Sequence, residues 1–383
     1  MTIRPFTLHV ADAEIEDLRL RLSRTRFPAA SSAAPWELGT DIAYMRDLAT
    51  YWRESFDWRA QECRLNVFPQ FKLQLDELEL HYLHVRGPNP QARPLLLCHG
   101  WPGSIFEFLD IIPRLTDPER FGGRAEDAFT VIVPSLPGYG LSYQPGQKGF
   151  GVEEMADIFA RLMQALNHDR YFVQGGDWGG FIASRMAYRY PERVAGLHLN
   201  LVPVPRSGKA SDQASAEERA HFDRLESWIK DGVGYQWIQG TRPQTLSFGL
   251  MDSPVGLGAW IVEKFRAWSD CGGEIETAIS RDHLLANISL YWFTGAIGSS
   301  FYPYYARMHR PWPVPLNEKI TVPMAYAEFP MEMVRPPRSL AEVMFSDIRR
   351  WTVMPRGGHF AALEQPELLA ADIQAFAREI DLG

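Results

Sequence analysis

The stretch GGDWGG, residues 175–180, constrains the fold more than any other part of this chain. It stands between a buried apolar strand predicted at 170–174 and an amphipathic helix predicted at 181–190. Its aspartate, Asp177, has glycines on both sides, and glycine suits turns that are too tight for a side chain. The chain must therefore run from a strand through a sharp turn into a helix, with a carboxylate at the tip.

Short apolar runs recur before and after this turn, and helical stretches separate them. The runs lie at 95–98, 130–133, 171–173 and, less purely, 194–199, and the pattern of strand and helix resumes at 322–327 and 351–354. Apolar strands that alternate with helices predict an α/β fold with a mostly parallel sheet flanked by helices. Two alternating stretches, 71–75 and 78–85, predict a β-hairpin ahead of that sheet.

Two segments lack this alternation of strands and helices, which predicts additions to the sheet domain. Residues 1–70 contain helical patterns but no strand pattern, so we expect an N-terminal arm that wraps over the rest. Residues 204–318 are helical and rich in aromatic side chains. We predict that they form a lid between two parts of the core, 71–203 and 319–383, over the sheet edge where ligands bind.

Three interpretations of the Asp177 turn compete. A phosphate-binding turn also puts glycines between strand and helix, but the spacing is not G-x-G-x-x-G and a carboxylate would repel phosphate. Alternatively, Asp177 merely caps the following helix. The third interpretation is a nucleophile elbow, small-x-nucleophile-x-small, in which Gly175 and Gly179 permit the turn. A helix N-terminus also favours the ionised carboxylate.

A nucleophile elbow requires two backbone donors for an oxyanion. The stretch HGWPGS, 99–104, directly follows an early predicted strand. The backbone N–H groups of Trp101 and Trp178 are therefore the candidate oxyanion hole. His99 is interpreted as a hydrogen-bonded organiser of that loop and takes no part in the chemistry.

The elbow also requires an acid and a histidine later in the chain. His359 follows the last predicted strand, and two acids follow the strand at 322–327, Glu328 and Glu332. We favour Glu332, because Glu328 lies so near the strand end that it is expected to point into the sheet. The order nucleophile, acid, histidine is the one that such folds use.

An aspartate nucleophile selects the kind of carbon that is attacked. Serine attack on an sp³ carbon would leave an ether, whereas aspartate attack leaves an ester whose carbonyl belongs to the enzyme and which water cleaves. The leaving group is then a halide, which needs N–H donors, or an epoxide oxygen, which needs an O–H donor such as tyrosine. Five tyrosines lie in the predicted lid: Tyr235, Tyr291, Tyr302, Tyr304 and Tyr305.

Composition argues against several classes of partner. The net charge of −8 argues against a nucleic acid or an anionic membrane. No apolar run reaches the ~18 residues of a membrane-spanning helix. Three cysteines without pairing or metal spacing predict a reducing compartment, the cytoplasm, and the histidines show no metal-ligand spacing.

Several stretches together resemble the microsomal-type epoxide hydrolases, which have the α/β-hydrolase fold. They are WELGTDIAYMRDLATYWRESFDWRAQECRLNVFPQF, HGWPGS, PSLPGYGLS, GGDWGG, DSPVGLGAWIVEKF, YWFTGAIGSS and GGHFAALEQPELLA. The resemblance covers essentially the whole chain. The combination is specific, although no single stretch is.

The resemblance implies a role for each candidate residue. Asp177 would be the nucleophile, and His359 with Glu332 the base that drives hydrolysis of the ester. Tyr235 and Tyr304 would bind the epoxide oxygen. Because Pro303 and neighbouring tyrosines crowd this stretch, Tyr302 or Tyr305 could replace Tyr304 through a shift of register.

The resemblance also implies a substrate and a reaction. The partners would be a small hydrophobic epoxide and water, which give a vicinal diol without cofactor or metal, in detoxification or in catabolism of aromatic hydrocarbons. The aromatic content of 13% would line an apolar pocket. An exposed arm would allow a homodimer. The alternatives are a haloalkane dehalogenase with the same triad and a binding protein of this fold without turnover.

Overall fold

The computed structural model describes residues 2–30, 32–76, 78–90, 92–204 and 214–380. The strands of these residues are Ile3–Phe6 (β1), Gln70–Leu75 (β2), Leu78–Val85 (β3), Arg93–Cys98 (β4), Phe129–Pro134 (β5), Tyr171–Gly175 (β6), Val194–Leu199 (β7), Met324–Glu328 (β8) and Ile348–Val353 (β9). They form one sheet in the order β1-β2-β3-β5-β4-β6-β7-β8-β9.

The sheet is mostly parallel, as predicted. β1, β2, β3 and β5 pair antiparallel in series, whereas all pairings from β5 through β4, β6, β7 and β8 to β9 are parallel. β5, β6 and β7 are buried along their whole length. Since successive side chains point to opposite faces, both faces of the sheet are covered.

The helices cover the sheet and build the additions to it. They are Asp12–Ser23 (α1), Ile42–Glu54 (α2), Trp58–Asn66 (α3), Ile112–Thr116 (α4), Val152–Ala165 (α5), Asp177–Arg189 (α6), Ala216–Gly232 (α7), Gly234–Thr241 (α8), Pro243–Asp252 (α9), Pro254–Trp268 (α10), Arg281–Thr294 (α11), Ile297–Ser300 (α12), Tyr302–His309 (α13), Arg338–Ala341 (α14), Ala361–Glu364 (α15) and Pro366–Arg378 (α16). α6 packs on α5 and against β4, β6 and β7, while α16 packs on α4 and against β7, β8 and β9.

The N-terminal segment departs from the expectation that it contains no strand. β1 pairs antiparallel with β2, with Ile3 opposite Leu73 and Phe6 opposite Gln70. This strand has four residues and is largely exposed, so no alternation of polar and apolar residues marks it. It forms because the edge of β2 offers unpaired N–H and C=O groups.

The predicted lid is mostly helical where the structure describes it. Residues 214–318 contain α7 to α13 and no strand, and the first stretch of the predicted lid, 205–213, lies outside the described residues. α8 packs on α13, and α9 packs on α10 and α12. The arm helices α1 and α2 contact α10, and α3 contacts α11, so the arm packs against the lid. No helix in the described ranges has the length and apolar character needed to cross a membrane.

Candidate active site

The turn between β6 and α6 places Asp177 at the carboxyl edge of the sheet. Its φ of 47° is left-handed, which is rare for a residue with a side chain and frequent at strained functional turns. A Cβ on Gly175 would lie 2.3 Å from the carbonyl of Gly179, and a Cβ on Gly179 would lie 2.0 Å from the carbonyl oxygen of Cys98. Both positions therefore require glycine, because the neighbouring backbone leaves no space for a side chain. Helix α6 begins at Asp177 itself, four residues earlier than predicted, so the carboxylate lies in its first turn.

The loop after β4 reaches the same carboxylate, because β4 and β6 are parallel neighbours. The backbone N–H of Trp101 donates to Oδ1 of Asp177 at 2.8 Å. A Cβ on Gly100 would lie 2.3 Å from that oxygen, so this position also needs glycine. The second predicted donor, the N–H of Trp178, lies in the first turn of α6, where N–H groups have no partner within the helix.

His99 lies beside these donors and makes two hydrogen bonds within its own loop region. Its Nε2 accepts from the N–H of Leu136 at 3.1 Å, and its Nδ1 lies 3.0 Å from the carbonyl oxygen of Gly100. Burial lowers the pKa of His99 to about 4, so the ring is neutral. These contacts are those of a loop organiser.

His359 lies between two carboxylates. Its Nδ1 is 2.7 Å from Oε2 of Glu332, and its Nε2 is 3.5 Å from Oδ2 of Asp177. His359 and Glu332 are both buried. Burial by itself would lower the pKa of His359, but the Glu332 and Asp177 carboxylates outweigh it and hold this pKa well above its ordinary value.

The two candidate acids after β8 have different surroundings. Glu328 is the last residue of β8 and accepts a hydrogen bond from Nε1 of Trp351 on β9, at 3.1 Å. Glu332 lies in the following loop, where its second oxygen, Oε1, accepts from the N–H of Val334. Glu332, and not Glu328, therefore contacts His359.

A network from helix α10 and the loop after it holds the His359 loop in place. The N–H of His359 donates to the carbonyl oxygen of Trp268 at 2.9 Å. Asp270 accepts from the N–H of Gly357, and Glu364 accepts from the N–H of Asp270. The histidine is thus tied to the lid as well as to the sheet.

Two of the five lid tyrosines face the carboxylate. Tyr235 stacks on the indole of Trp101 with ring centroids 5.4 Å apart, and Tyr304 packs edge-on against Trp178 at 4.7 Å. The two phenol rings lie 5.7 Å apart. Burial raises the pKa of both above its ordinary value, and the Asp177 carboxylate adds to the rise. Both O–H groups therefore keep their protons at neutral pH.

The other three lid tyrosines point elsewhere. Tyr291 donates to the carbonyl oxygen of Gly103. Tyr302 accepts a hydrogen bond from Arg310 at 3.3 Å, and Tyr305 is exposed and stacks on His309. Neither Tyr302 nor Tyr305 lines a cavity with Asp177.

A cavity of about 630 Å³ lies over the carboxylate. Its lining includes Asp177, Trp178, Tyr235, Tyr304 and His359. The remaining lining is mostly apolar and includes Phe181, Leu201, Val202, Leu225, Trp228, Ile229, Val233, Met308, Trp312, Met333 and Leu340. Concave, largely apolar cavities with a few polar groups are typical binding sites for small molecules.

Two family models match the chain. One is described as the epoxide hydrolase N terminus and matches residues 3–108; the other, the α/β hydrolase fold, matches residues 93–224. Epoxide hydrolase 1 of Oryctolagus cuniculus is 38% identical in an alignment that covers 98% of this chain and 88% of the rabbit protein. This chain belongs to the epoxide hydrolase family.

Solved structures of the epoxide hydrolase family have the same fold. The Aspergillus niger epoxide hydrolase is 30% identical with a TM-score of 0.88, covering 100% of this chain and 97% of the fungal one. The juvenile hormone epoxide hydrolase of the silkworm Bombyx mori is 30% identical with a TM-score of 0.90, covering 99% and 94%. The family and the α/β-hydrolase fold inferred from the sequence are confirmed.

Sequence reasoning missed two charged residues of this epoxide hydrolase site. Glu107 lines a second, small cavity together with Asp177 and His359. Lys264 of α10 is buried, with its Nζ 4.5 Å from the ring centroid of Tyr235. Glu107 offered a signal, because it is the one charged residue of an otherwise apolar stretch, SIFEFL. Lys264 offered none, because Glu263 and Arg266 lie beside it in IVEKFRAW.

Proposed function

We propose that this epoxide hydrolase converts a hydrophobic epoxide and water to a vicinal diol through an ester on Asp177. The proposal rests on the groups that surround the Asp177 carboxylate. The N–H of Trp101 and the ring of His359 lie against it, and two tyrosines line the same cavity. A carboxylate that attacks an sp³ carbon and displaces an oxygen requires these groups.

In the first step, Oδ2 of Asp177 attacks an epoxide carbon and the ring C–O bond breaks. Attack is assigned to Oδ2 because Oδ1 accepts the hydrogen bond from Trp101, which suits the oxygen that becomes the ester carbonyl. Tyr235 and Tyr304 donate to the ring oxygen, and one of them transfers its proton as the bond breaks. The products of this step are a hydroxy ester of Asp177 and a tyrosinate.

In the second step, His359 takes a proton from a water molecule whose oxygen attacks Cγ of Asp177. The N–H groups of Trp101 and Trp178 stabilise the oxyanion that forms. On collapse, His359 returns its proton to the departing alkoxide, which completes the diol. The remaining proton of the water is left on Asp177 and passes to Nε2 of His359, which restores the carboxylate and imidazolium of the free enzyme.

The charge of Asp177 determines at which step His359 can act as a base. In the free enzyme, the carboxylates of Glu332 and Asp177 raise the pKa of His359 despite its burial. Formation of the ester removes the charge of Asp177, and with it one of the two interactions that hold the imidazolium. The pKa of His359 then falls, so the imidazolium gives its proton to the tyrosinate left by the first step. The neutral ring can then accept a proton from water.

The large cavity supports a hydrophobic substrate. Its volume of about 630 Å³ accommodates a molecule of drug-like size. Its aliphatic and aromatic lining favours an apolar epoxide, as in detoxification or in the catabolism of aromatic hydrocarbons, and excludes water that would compete for the tyrosine hydrogen bonds.

One observation favours a second candidate, haloalkane dehalogenation. Nε1 of Trp101 and Nε1 of Trp178 are buried and have no hydrogen-bond partner among the described residues. Indole N–H groups of this kind bind a halide leaving group. The two protonated tyrosines at the same carboxylate favour the epoxide.

Intact-protein mass spectrometry of His359→Gln separates the two candidates. The variant is mixed with styrene oxide in one tube and with 1-chlorohexane in another. A mass gain equal to the whole epoxide, mapped to the Asp177 peptide, supports epoxide hydrolysis, because addition has no leaving group. A gain of a hexyl group supports the dehalogenase. If neither tube gives an adduct while wild type turns over epoxides, the ester mechanism is wrong.

The location and the oligomeric state also stand as proposals. Cys63, Cys98 and Cys271 are free thiols, which supports a reducing compartment such as the cytoplasm; cell fractionation would test this. The homodimer stays a prediction, and sedimentation velocity would measure it.

A further inference from the structure

A second cavity touches the Asp177–His359 pair. Its volume is about 20 Å³, and its polar lining includes Glu107, Gln174 and Asn200. A single water molecule requires roughly 10–15 Å³ by this kind of measure, together with two to four polar partners. The cavity therefore has the size and the chemistry for one water.

The large cavity is a poor source for the water that hydrolyses the ester. After the first step it holds the alkyl part of the substrate, attached to Asp177, among apolar side chains. Water there would be displaced or left with few partners. The small cavity is bounded by Asp177 and His359 as well, so a water in it has access to the ester carbon and to the base.

Gln174 offers this water an acceptor. Gln174 is the residue before Gly175 on β6 and is buried. Its Nε2 donates to Oδ1 of Asn200 at 2.7 Å, and its Oε1 has no hydrogen-bond partner among the described residues. A buried oxygen without a partner costs about 1–3 kcal/mol, so water in the cavity that Gln174 lines would satisfy it.

Glu107 offers a second polar group in the lining of this cavity. Its carboxyl occupies space that Gly103 leaves free, since a Cβ on Gly103 would lie 1.2 Å from Oε1 of Glu107. Burial raises the pKa of Glu107 to about 8, with the Asp177 charge adding and the His359 charge subtracting. The carboxyl is thus mostly protonated at neutral pH and both donates and accepts hydrogen bonds.

We propose that the small cavity holds the hydrolytic water and that Glu107 is the residue that positions it. The inference rests on the proposed ester mechanism. Glu107 and Gln174 fix the water oxygen toward Cγ of Asp177, while one water proton points to Nε2 of His359. Glu107 takes no part in the first step, because the epoxide reacts on the side of the large cavity.

Single-turnover kinetics with excess enzyme and styrene oxide test this assignment. Tryptophan fluorescence follows formation of the ester, and quenched samples give the ester fraction by mass spectrometry. Glu107→Leu removes the polar group at similar volume, and Glu107→Gln keeps a neutral donor and acceptor. Glu119→Leu is the control for the same substitution at an exposed position away from the cavity.

We expect Glu107→Leu to form the ester within about threefold of the wild-type rate and to hydrolyse it on the order of 10²-fold more slowly, which is what one preorganised hydrogen bond contributes. The values of kcat and KM should fall together, with kcat/KM little changed. Glu107→Gln should recover most of the hydrolysis rate, and Glu119→Leu should match wild type.

Two results would overturn the inference. If Glu107→Leu hydrolyses its ester at the wild-type rate, Glu107 does not position the water. If it loses ester formation and hydrolysis to the same extent, its role is structural. His359→Gln serves as the reference in both cases: when that variant accumulates ester, the proposed mechanism stands independently of Glu107, and when it forms none, the mechanism itself fails.

Discussion

The backbone N–H of Trp101 donates a hydrogen bond of 2.8 Å to Oδ1 of Asp177. This contact joins the loop after β4 to the turn after β6, and the pairing of these strands brings the two segments together. It makes the two carboxylate oxygens inequivalent: Oδ1 is held by a donor, and Oδ2 faces His359. The turn and the oxyanion loop therefore depend on one another.

We expect Gly179→Ala to destabilise the fold. The added Cβ would lie 2.0 Å from the carbonyl oxygen of Cys98, and backbone cannot move aside as a side chain can. The free energy of unfolding should fall by about 3 kcal/mol or more, the upper range for overpacking. Urea denaturation measures it. Gly249→Ala is the matched control, because a Cβ on Gly249 would have no neighbour within 4 Å. This substitution should stabilise α9 by up to about 1 kcal/mol. If both variants lost the same free energy of unfolding, the account of the turn would be contradicted.

Glu332→Gln should slow hydrolysis of the ester more than its formation. The amide still reaches Nδ1 of His359, but the charge that supports the imidazolium is lost. A fall in kcat between about 10² and 10⁴ is expected, with ester accumulating by mass spectrometry. Glu328→Gln alters a carboxylate that bonds Trp351 instead and should leave kcat near wild type. An equal effect of the two changes would show that the acid is assigned to the wrong residue.

Tyr304→Phe and Tyr235→Phe should each slow ester formation. Each removes one O–H donor to the epoxide oxygen, and general acid catalysis contributes about 10²–10⁴ in rate. We expect kcat/KM to fall about 10²-fold in each single variant and further in the double variant, measured by single-turnover kinetics. Tyr302→Phe and Tyr305→Phe are the controls and should stay within about twofold, as surface changes do. A loss in Tyr302→Phe as large as in Tyr304→Phe would contradict the assignment.

The free energy of unfolding should fall as the pH rises above about 10. Burial raises the pKa of several tyrosines above its ordinary value, and among them are these five: Tyr139, Tyr235, Tyr291, Tyr304 and Tyr326. In the unfolded chain these phenols ionise near pH 10, so there the unfolded state binds fewer protons and stability is lost with rising pH. Each contributes up to about 1.4 kcal/mol per pH unit.

Urea denaturation between pH 8 and pH 10.5 measures this dependence. Tyr326→Phe removes one of the five ionisable groups and a buried hydroxyl that has no partner among the described residues. The slope should be smaller in this variant than in wild type. An unchanged slope would mean that Tyr326 does not contribute to the loss of stability.

Local patterns in the sequence were sufficient to predict the sheet and the order of the site residues. β5, β6 and β7 are mostly apolar because they are buried on both faces, and this burial determines the composition of each run. β9 is partly exposed and carries two arginines, so its pattern is weaker. The glycines around Asp177 mark a turn that allows no side chains. β1 was not predictable, because an exposed edge strand has no pattern of its own and exists only through pairing with β2.

The choice among neighbouring residues was decided by the tertiary structure. Tyr302, Tyr304 and Tyr305 all lie on α13, and residues two apart point about 200° away from each other around a helix. Which of them is buried depends on where Trp178 and Tyr235 lie, and those residues are far apart in the chain. In the same way, Glu107 and His359 line the same cavity only because the loops after β4 and β9 lie at one edge of the sheet. Local sequence determined which residues could form a site, and long-range packing decided which of them do.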